Sequence, residues 1–575
     1  MARLPWATRT LRGLVIVGVM LGSPAWALLG LGESSGASPG ATAGVSTLLA
    51  VDGTPATGDH VVIEARDEPI VANPTGDQVL RLAGPVNGPA SLDPSLARDI
   101  PTAFLARQVF RGLTRLDGDL EPVPELAERI EIAPNGLDYT FVLRDDATFQ
   151  DGRLVVAEDV VFSLTHALDP DTAGGEAALL GGPTYLLDIA GAEDVVSGRS
   201  DRPAGLRALD TRTVAIRLTA PRATFLMKLA AAPAAIIDRR DVARGEAWWR
   251  SPNGTGPFKV VEWEPGERLV LGRSDHFFAG APALERIEIR LGTNAFQPFN
   301  LYQDDQIDIE TVPQDAIDRV LDLESPLHDE VVQTPVFALY YVAFRIDSPP
   351  MDDIHVRRAI QLAFPRVKVA EASLNGHAGE ADGLIPDGML GRVWSPTVPP
   401  FDPAAAEREI AASKYRSAMA MPTLTIYSAG GGPAEALRDV LQESLGLDVE
   451  VVSLDWPQFL DGLARRALPA YGLYWMADYP DPESLLWTLF GADSPDNYVD
   501  YRSPIFDGLL REAAAEPDGE RRADLYQQAQ QALLNDYVIL PMYDDIAFTV
   551  AKPEVKDLEV TPLGILRLET VWLER

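Results

Sequence analysis

The chain has 575 residues, with 49 Lys and Arg against 85 Asp and Glu, a formal charge of −36 and no cysteine. This acidity argues against a nucleic-acid partner, because phosphate backbones are bound by clustered Lys and Arg. The absence of cysteine excludes disulfides, thiolate metal sites, iron–sulfur clusters and a cysteine nucleophile, and the length predicts several domains or one large two-lobed body.

Residues 1–27 are typical of an export signal. Three arginines precede an apolar run from Leu14 to Leu21, and Ala25-Trp26-Ala27 has the small-x-small cleavage pattern. The apolar run is shorter than the ~20 residues that span a bilayer, so we expect cleavage, with retention as an anchor as the alternative. No cysteine follows the run, which excludes a lipoprotein anchor and predicts a periplasmic mature chain.

Residues 28–76 are rich in Gly, Ser, Ala, Thr and Pro and show no sustained periodicity. Such a composition is typical of a flexible linker.

Strands and amphipathic helices are predicted beyond this linker. Residues 139–144 alternate as a strand, and a helix over 157–168 places Val160, Val161 and Leu164 on one face. A strand-rich stretch follows at 258–291.

A second α/β region is predicted after Pro335. It begins with the apolar run FALYYVAF, followed by an amphipathic helix over 352–364. Strand, helix and strand then follow over 423–428, 434–446 and 448–455. This order predicts an α/β lobe, and a ligand cleft is expected between the two regions.

Several segments occur in the order found in one known family. They are SLDP from Ser91, YTFVLRDDATFQDGRLVVAEDVVFSL from Tyr139, GTGPFK from Gly254, SPPMDDIHVRRAIQLAF from Ser348, WMADYPDPESLLWTLF from Trp475 and ERRADLYQQAQQALLNDYVILPMY from Glu520. Over residues 79–575 the chain thus resembles the family 5 extracytoplasmic solute-binding proteins, the oligopeptide and dipeptide receptors of ABC importers.

The resemblance implies an α/β, bilobal, periplasmic-binding-protein-like fold with a hinge-bending cleft and a discontinuous first lobe. It places the first lobe at residues 77–334, with an inserted subdomain at about 109–210, the second lobe at 335–540, and a return segment at 541–575. It also implies a monomeric, non-enzymatic receptor that captures short peptides and delivers them to a membrane permease, which separate ATPase subunits power.

Asp478 is the leading candidate for a ligand-binding residue. In peptide-binding members of the family, the aspartate at this motif position binds the ligand's α-ammonium group, and exclusion of water from a closed cleft strengthens such a bond. The alternative is that Asp478 stabilises the turn before Pro480. Trp475 and Tyr479 are expected to form walls of side-chain pockets, with core packing as the alternative.

Further candidates lie elsewhere in the chain. Tyr543 belongs to a stretch that the family uses at the cleft. Asp544 and Asp545 follow it, and they favour cationic ligand groups if they face the cleft, or only add to the acidic surface if they face solvent. Trp394 and Tyr185 are candidates in loops of variable length.

No cofactor and no metal site are expected. The histidines are scattered without an i, i+4 pair, and no G-x-x-x-x-G-K-[ST] loop is present. Other solutes stay open, because family members also bind nickel complexes, opines and sugars. A sensory binding protein that feeds no importer, and a secreted hydrolase with paired carboxylates, are the remaining alternatives.

Overall fold

The computed structural model describes residues 60–66, 72–85, 88–175, 180–245, 247–293, 297–392, 398–430 and 433–575. The predicted signal peptide and most of the predicted linker lie outside these ranges. The strands are, in chain order, β1 (Val61–Glu64), β2 (Val79–Ala83), β3 (Thr114–Leu116), β4 (Pro122–Pro124), β5 (Ala127–Ile132), β6 (Asp138–Leu143), β7 (Leu206–Ala208), β8 (Thr213–Arg217), β9 (Phe258–Glu264), β10 (Arg268–Arg273), β11 (Arg286–Arg290), β12 (Ile309–Thr311), β13 (Val331–Phe344), β14 (Gly379–Glu380), β15 (Leu424–Ser428), β16 (Val449–Ser453), β17 (Ala470–Met476), β18 (Ile539–Ala551), β19 (Val555–Lys556) and β20 (Trp572–Leu573).

The α-helices are α1 (Ile100–Val109), α2 (Ala157–His166), α3 (Gly182–Leu186), α4 (Ala192–Val196), α5 (Phe225–Lys228), α6 (Arg239–Val242), α7 (Gln297–Gln303), α8 (Ile317–Leu321), α9 (Ile354–Ala363), α10 (Arg366–Ala372), α11 (Pro403–Ala412), α12 (Pro433–Leu445), α13 (Trp456–Ala464), α14 (Glu483–Phe490), α15 (Pro504–Ala515) and α16 (Gly519–Asn535). Within the described ranges, none of them combines the length and apolarity that crossing a bilayer requires.

Three larger sheets organise the molecule. A five-stranded antiparallel sheet has the order β1-β5-β6-β8-β7, and a four-stranded sheet has the order β2-β11-β10-β9. The largest sheet has the order β12-β18-β13-β17-β15-β16, with β14 paired to β18.

The two long strands β13 and β18 connect two lobes. One half of the β13–β18 ladder pairs Val331 with Val550, beside β12, and the other half pairs Ala343 with Ile539, beside β17. We call the described residues up to 330 and from 552 onward the first lobe, and residues 345–538 the second lobe. The predicted boundaries at 335 and 541 fall within the two connecting strands.

The C-terminal segment packs on the first lobe. The Gln78 side chain donates to the Leu573 carbonyl at 2.8 Å and accepts from the Leu573 N–H at 2.9 Å. Arg575 forms an ion pair of 2.8 Å with the buried Asp308. The first lobe is therefore built from two separate parts of the chain.

Periodicity correctly predicts several elements. The buried side chains of α2 include Val160, Val161 and Leu164, as expected for one apolar face. The α9 helix begins where the Asp353 carboxylate accepts a hydrogen bond from the His355 N–H at 2.9 Å. The strand–helix–strand order of β15, α12 and β16 is also confirmed, and β15 and β16 are parallel.

Two boundary predictions differ from the structure. Residues 61–64, within the predicted linker, form β1 and pair with residues 129–132 of β5, because Val-Val-Ile is a short β-branched run that suits a sheet edge. The five-stranded sheet of the inserted subdomain also continues past residue 210, since β8 lies between β6 and β7.

Glu310 on β12 provides a test of the fold's pH dependence. Its side chain is buried and accepts a hydrogen bond from the Thr311 N–H at 2.9 Å, and no cation pairs with it among the described residues. Burial raises the pKa of this carboxyl to about 8. The folded state therefore binds more protons than the unfolded state between the usual glutamate pKa and about 8, and stability falls as pH rises through that window.

We expect Glu310→Gln to remove this loss. Relative to the variant, the wild type loses up to about 1.4 kcal/mol of unfolding free energy per pH unit between roughly pH 5 and 8. Thermal unfolding across that range measures the difference. Glu450→Gln, at an exposed position on β16, is the matched control and keeps the wild-type profile. Parallel profiles for wild type and Glu310→Gln would contradict the expectation.

Candidate functional site

The end of β17 positions the two leading candidates. Trp475 lies on β17 opposite Leu339 of β13. The chain leaves the strand at Ala477, whose N–H donates to the Phe337 carbonyl at 2.7 Å, and α14 begins at Glu483. Asp478 thus lies in a short connection between a strand and a helix, at the side of the second lobe that faces the first.

Asp478 and Trp475 line a cavity of about 150 Å³ between the lobes. The second lobe also contributes Asp496 to its wall. The first lobe contributes residues from the turn before α1, from α1, from α3 and from the C-terminal segment, among them Arg98, Phe104, Arg107, Tyr185, Leu563, Gly564 and Ile565. We call this space the cleft cavity.

The two carboxylate oxygens of Asp478 have different surroundings. The Tyr185 hydroxyl donates to Asp478 Oδ1 at 3.0 Å, whereas the buried Oδ2 has no hydrogen-bond partner in the described part of the chain. Burial raises the pKa of Asp478 to about 6, with the Tyr185 hydrogen bond opposing the shift and Asp496 adding to it. A buried carboxylate with an unused acceptor calls for a donor, and a cation satisfies it best.

Trp475, which also lines the cleft cavity, has an unfilled hydrogen-bond donor. Its ring packs partly buried against the core between the lobes, and its indole Nε1 is buried without a partner among the residues the structure covers. The residues that line the cleft cavity thus include one unfilled donor and one unfilled anionic acceptor, a pair of groups that suits a ligand carrying an ammonium group and a carbonyl.

Tyr479 lies away from the cleft cavity. Its side chain is 4% exposed and packs in the core between the lobes, where the Lys228 ammonium lies 5.5 Å from the centre of its ring. Tyr479 is not among the residues that line the cleft cavity, so core packing describes this side chain and the expected pocket wall does not.

The residues at the start of the return segment form a separate group. The Tyr543 ring stacks on Tyr340 with a centroid distance of 4.6 Å. Asp544 faces neither cleft nor solvent, because it is buried and accepts from Arg392 at 2.8 Å. Asp545 is half-buried beside Tyr474. The structure thus does not bring these three residues to Asp478, and Trp394 lies outside the described residues.

Tyr185 and Arg107 are also neighbours of Asp478. The sequence indicated Tyr185 only as a secondary candidate and did not indicate Arg107. Tyr185 lies on α3 and Arg107 on α1. Tyr185 is 293 residues away from Asp478 along the chain. No local pattern marks either residue, because only the contact between the lobes brings them to the cavity.

A buried ion cluster joins the lobes beside this site. Lys228 of the first lobe lies 3.4 Å from Glu483 Oε1 of the second lobe and 2.9 Å from Asp188. Arg222 donates to Asp188 at 2.7 Å, and Thr224 donates to the second oxygen of Glu483. We call Asp188, Arg222, Lys228 and Glu483 the interlobe ion cluster.

The charges in this cluster stabilise one another. Burial alone would lower the pKa of Lys228, but Glu483 and Asp188 outweigh it and the pKa is raised. The backbone also crosses the interface, since the Ala223 N–H donates to the Ala514 carbonyl at 2.8 Å. The lobes are therefore in close contact, as in a closed receptor.

Two of the histidines contact carboxylates. His166 lies 2.9 Å from Asp93, and His355 lies 2.7 Å from Glu409. Across the described ranges, His, Asp and Glu side chains form no group of three that could hold a metal ion.

Comparisons with known proteins agree with this architecture. The model of the family described as "Bacterial extracellular solute-binding proteins, family 5 Middle" matches residues 121–497. The dipeptide-binding protein DppE of Bacillus subtilis is 25% identical over 520 residues, covering 88% of this chain and 93% of that protein. The periplasmic oligopeptide-binding protein OppA of Escherichia coli is 27% identical over 479 residues, covering 81% and 87%.

A solved structure confirms the predicted fold. The murein tripeptide binding protein MppA of Escherichia coli superposes with a TM-score of 0.74 at 24% identity, covering 87% of this chain and 99% of that one. The bilobal, periplasmic-binding-protein-like α/β fold is therefore established for this chain.

Proposed function

The chain belongs to the family 5 bacterial extracellular solute-binding proteins, and we propose that its solute is a short peptide, held between the lobes by its N-terminal ammonium group. The protein then acts outside the cytoplasmic membrane as a non-enzymatic receptor, and it delivers the peptide to a membrane permease that separate ATPases drive. The export signal predicted at residues 1–27 and the peptide-binding relatives support this role.

The observation that carries the proposal is the free oxygen of Asp478. In a cavity that excludes water, an ionised carboxylate with one unfilled oxygen is costly unless a ligand supplies the counter-charge. A peptide ammonium group has three N–H donors, so it can bond to this oxygen. The Trp475 indole is placed to donate to a carbonyl of the same peptide.

Closure follows from the same contacts. A peptide that bonds to Asp478 in the second lobe and touches α1 and α3 of the first lobe binds the closed form better than the open form. That difference in affinity shifts the population towards closure.

Mass spectrometry of the solutes released by denaturing the purified protein tests the proposal. We expect short peptides with free α-amino groups, returned intact after incubation with the native protein because no catalysis occurs. Release of only nickel complexes, opines or sugars would contradict the proposed ligand, and cleavage products of an added peptide would contradict the non-enzymatic role.

A further inference from the structure

A second, smaller cavity adjoins the cleft cavity. It has a volume of about 40 Å³ and shares Arg107, Ala232 and Ile565 with the cleft cavity. Its wall also contains Arg111 and Arg115 and, from the C-terminal segment, Arg567. We call it the arginine cavity.

Positive charge is in excess in the arginine cavity. Four guanidinium groups line it, against the two carboxylates of Glu125 and Glu569. Both carboxylates are already engaged, since Arg111 lies 3.1 Å from Glu125 and 2.9 Å from Glu569. Neither carboxylate of the arginine cavity is therefore left to pair with Arg107.

Arg107 lies at the boundary of the two cavities and has a free guanidinium group. Its side chain forms no hydrogen bond and no ion pair with any residue that the structure describes. Burial lowers its pKa, while Tyr185 and Asp478 on one side and Glu125 on the other oppose the shift. A half-buried guanidinium group without a partner remains open to an anionic ligand, and a carboxylate fits its planar donors.

We propose that Arg107 binds a carboxylate of the ligand, one or two residues from the ammonium group that Asp478 holds. Both charged groups line the same cavity of about 150 Å³, so the two ligand charges must lie close together. This inference rests on the proposed function and narrows it to peptides with an anionic group near the N-terminus. The carboxylate comes either from an acidic side chain or from the C-terminus of a dipeptide.

Titration calorimetry with matched peptides separates these two sources. For the side chain, Glu-Ala-Ala amide and Ala-Glu-Ala amide are compared with the same peptides carrying Gln in place of Glu. For the terminus, Ala-Ala is compared with Ala-Ala amide. In at least one pair we expect the peptide with the carboxylate to bind at least about tenfold more tightly, as a charge-assisted hydrogen bond to a guanidinium group implies.

Variants of Arg107 test whether this residue causes the preference for the peptide with the carboxylate. Arg107→Gln reduces the affinity ratio within that pair to about one, and Arg107→Lys retains part of it because the charge is kept. Arg408→Gln, at a position where the side chain is 71% exposed on α11, keeps the wild-type ratio. The readout is a ratio of the affinities for two ligands. A general loss of folding in one variant weakens the binding of both ligands alike, so it does not change this ratio.

Two results would overturn the inference. If the wild type does not distinguish the members of any pair, or if the preference survives in Arg107→Gln, Arg107 does not bind a ligand carboxylate. In both cases the free-amino peptides still bind, so the proposed function stands. If none of these peptides nor tri-alanine binds, the proposed function fails, and this inference fails with it.

Discussion

Asp478→Asn weakens the binding of a free-amino peptide such as tri-alanine more than tenfold, which corresponds to about 1.4 kcal/mol or more. The substitution keeps the shape of the side chain and removes the charge that the ligand's ammonium group requires. It also places an amide where the Tyr185 hydroxyl donates and one oxygen is unfilled. Titration calorimetry measures the loss, and Asp461→Asn, at an exposed position on α13, is the control with wild-type affinity.

The pH dependence of binding provides a second readout of the same residue. Burial places the pKa of Asp478 at about 6, and only the ionised carboxylate pairs with an ammonium group. Wild-type affinity is therefore full above pH 6 and falls towards tenfold per pH unit below it, whereas the Asn variant lacks this dependence. A wild-type affinity that stays constant between roughly pH 5 and 7 would show that Asp478 does not carry the ligand's charge.

Lys228→Met lowers peptide affinity by about 100-fold, since breaking a buried ion pair costs about 3 kcal/mol or more. In the closed form the variant leaves Glu483 buried with only the more distant Arg222, at 3.9 Å, as a cationic partner. In an open form Glu483 is hydrated, and Asp188 keeps its bond to Arg222. The substitution thus destabilises the closed form relative to the open form. Because the receptor must close to bind its peptide, the affinity for the peptide decreases by the same free energy.

A double-mutant cycle distinguishes this effect from general damage. Adding Glu483→Met removes the poorly compensated charge, so the double variant regains much of the lost affinity. Arg465→Met breaks an exposed ion pair with Asp461 and changes affinity little. If Lys228→Met is folded by circular dichroism and binds peptide as tightly as the wild type, the interlobe ion cluster does not control closure.

Local patterns in the sequence were sufficient to predict much of the fold. The α2 and α9 helices follow from apolar residues at helical spacing, and β13 follows from a run of consecutive apolar residues that both faces of the sheet bury. The order of such elements, together with family motifs, predicted two lobes and a cleft. Composition was a weaker guide, because β1 lies in a segment that its Gly and Ser content marked as linker.

Only those residues of the candidate site that belong to one short motif could be predicted from the sequence. Asp478 and Trp475 occur in a single short segment and both reach the cleft cavity. Partners that are distant in the chain could not be predicted, since Arg392 decides the position of Asp544, and Lys228 lies against Tyr479. No motif in the sequence marks Arg107 as a candidate. That its guanidinium group lacks a partner is visible only in the folded protein, where α1 lies against the second lobe.

Titration of the wild-type protein with tri-alanine and with N-acetyl-tri-alanine tests the central claim most directly, because acetylation removes the ammonium charge and leaves the rest of the peptide unchanged. We predict that the acetylated peptide binds more than about tenfold more weakly. Equal affinities for the two peptides would contradict the assignment of Asp478 as the ammonium site.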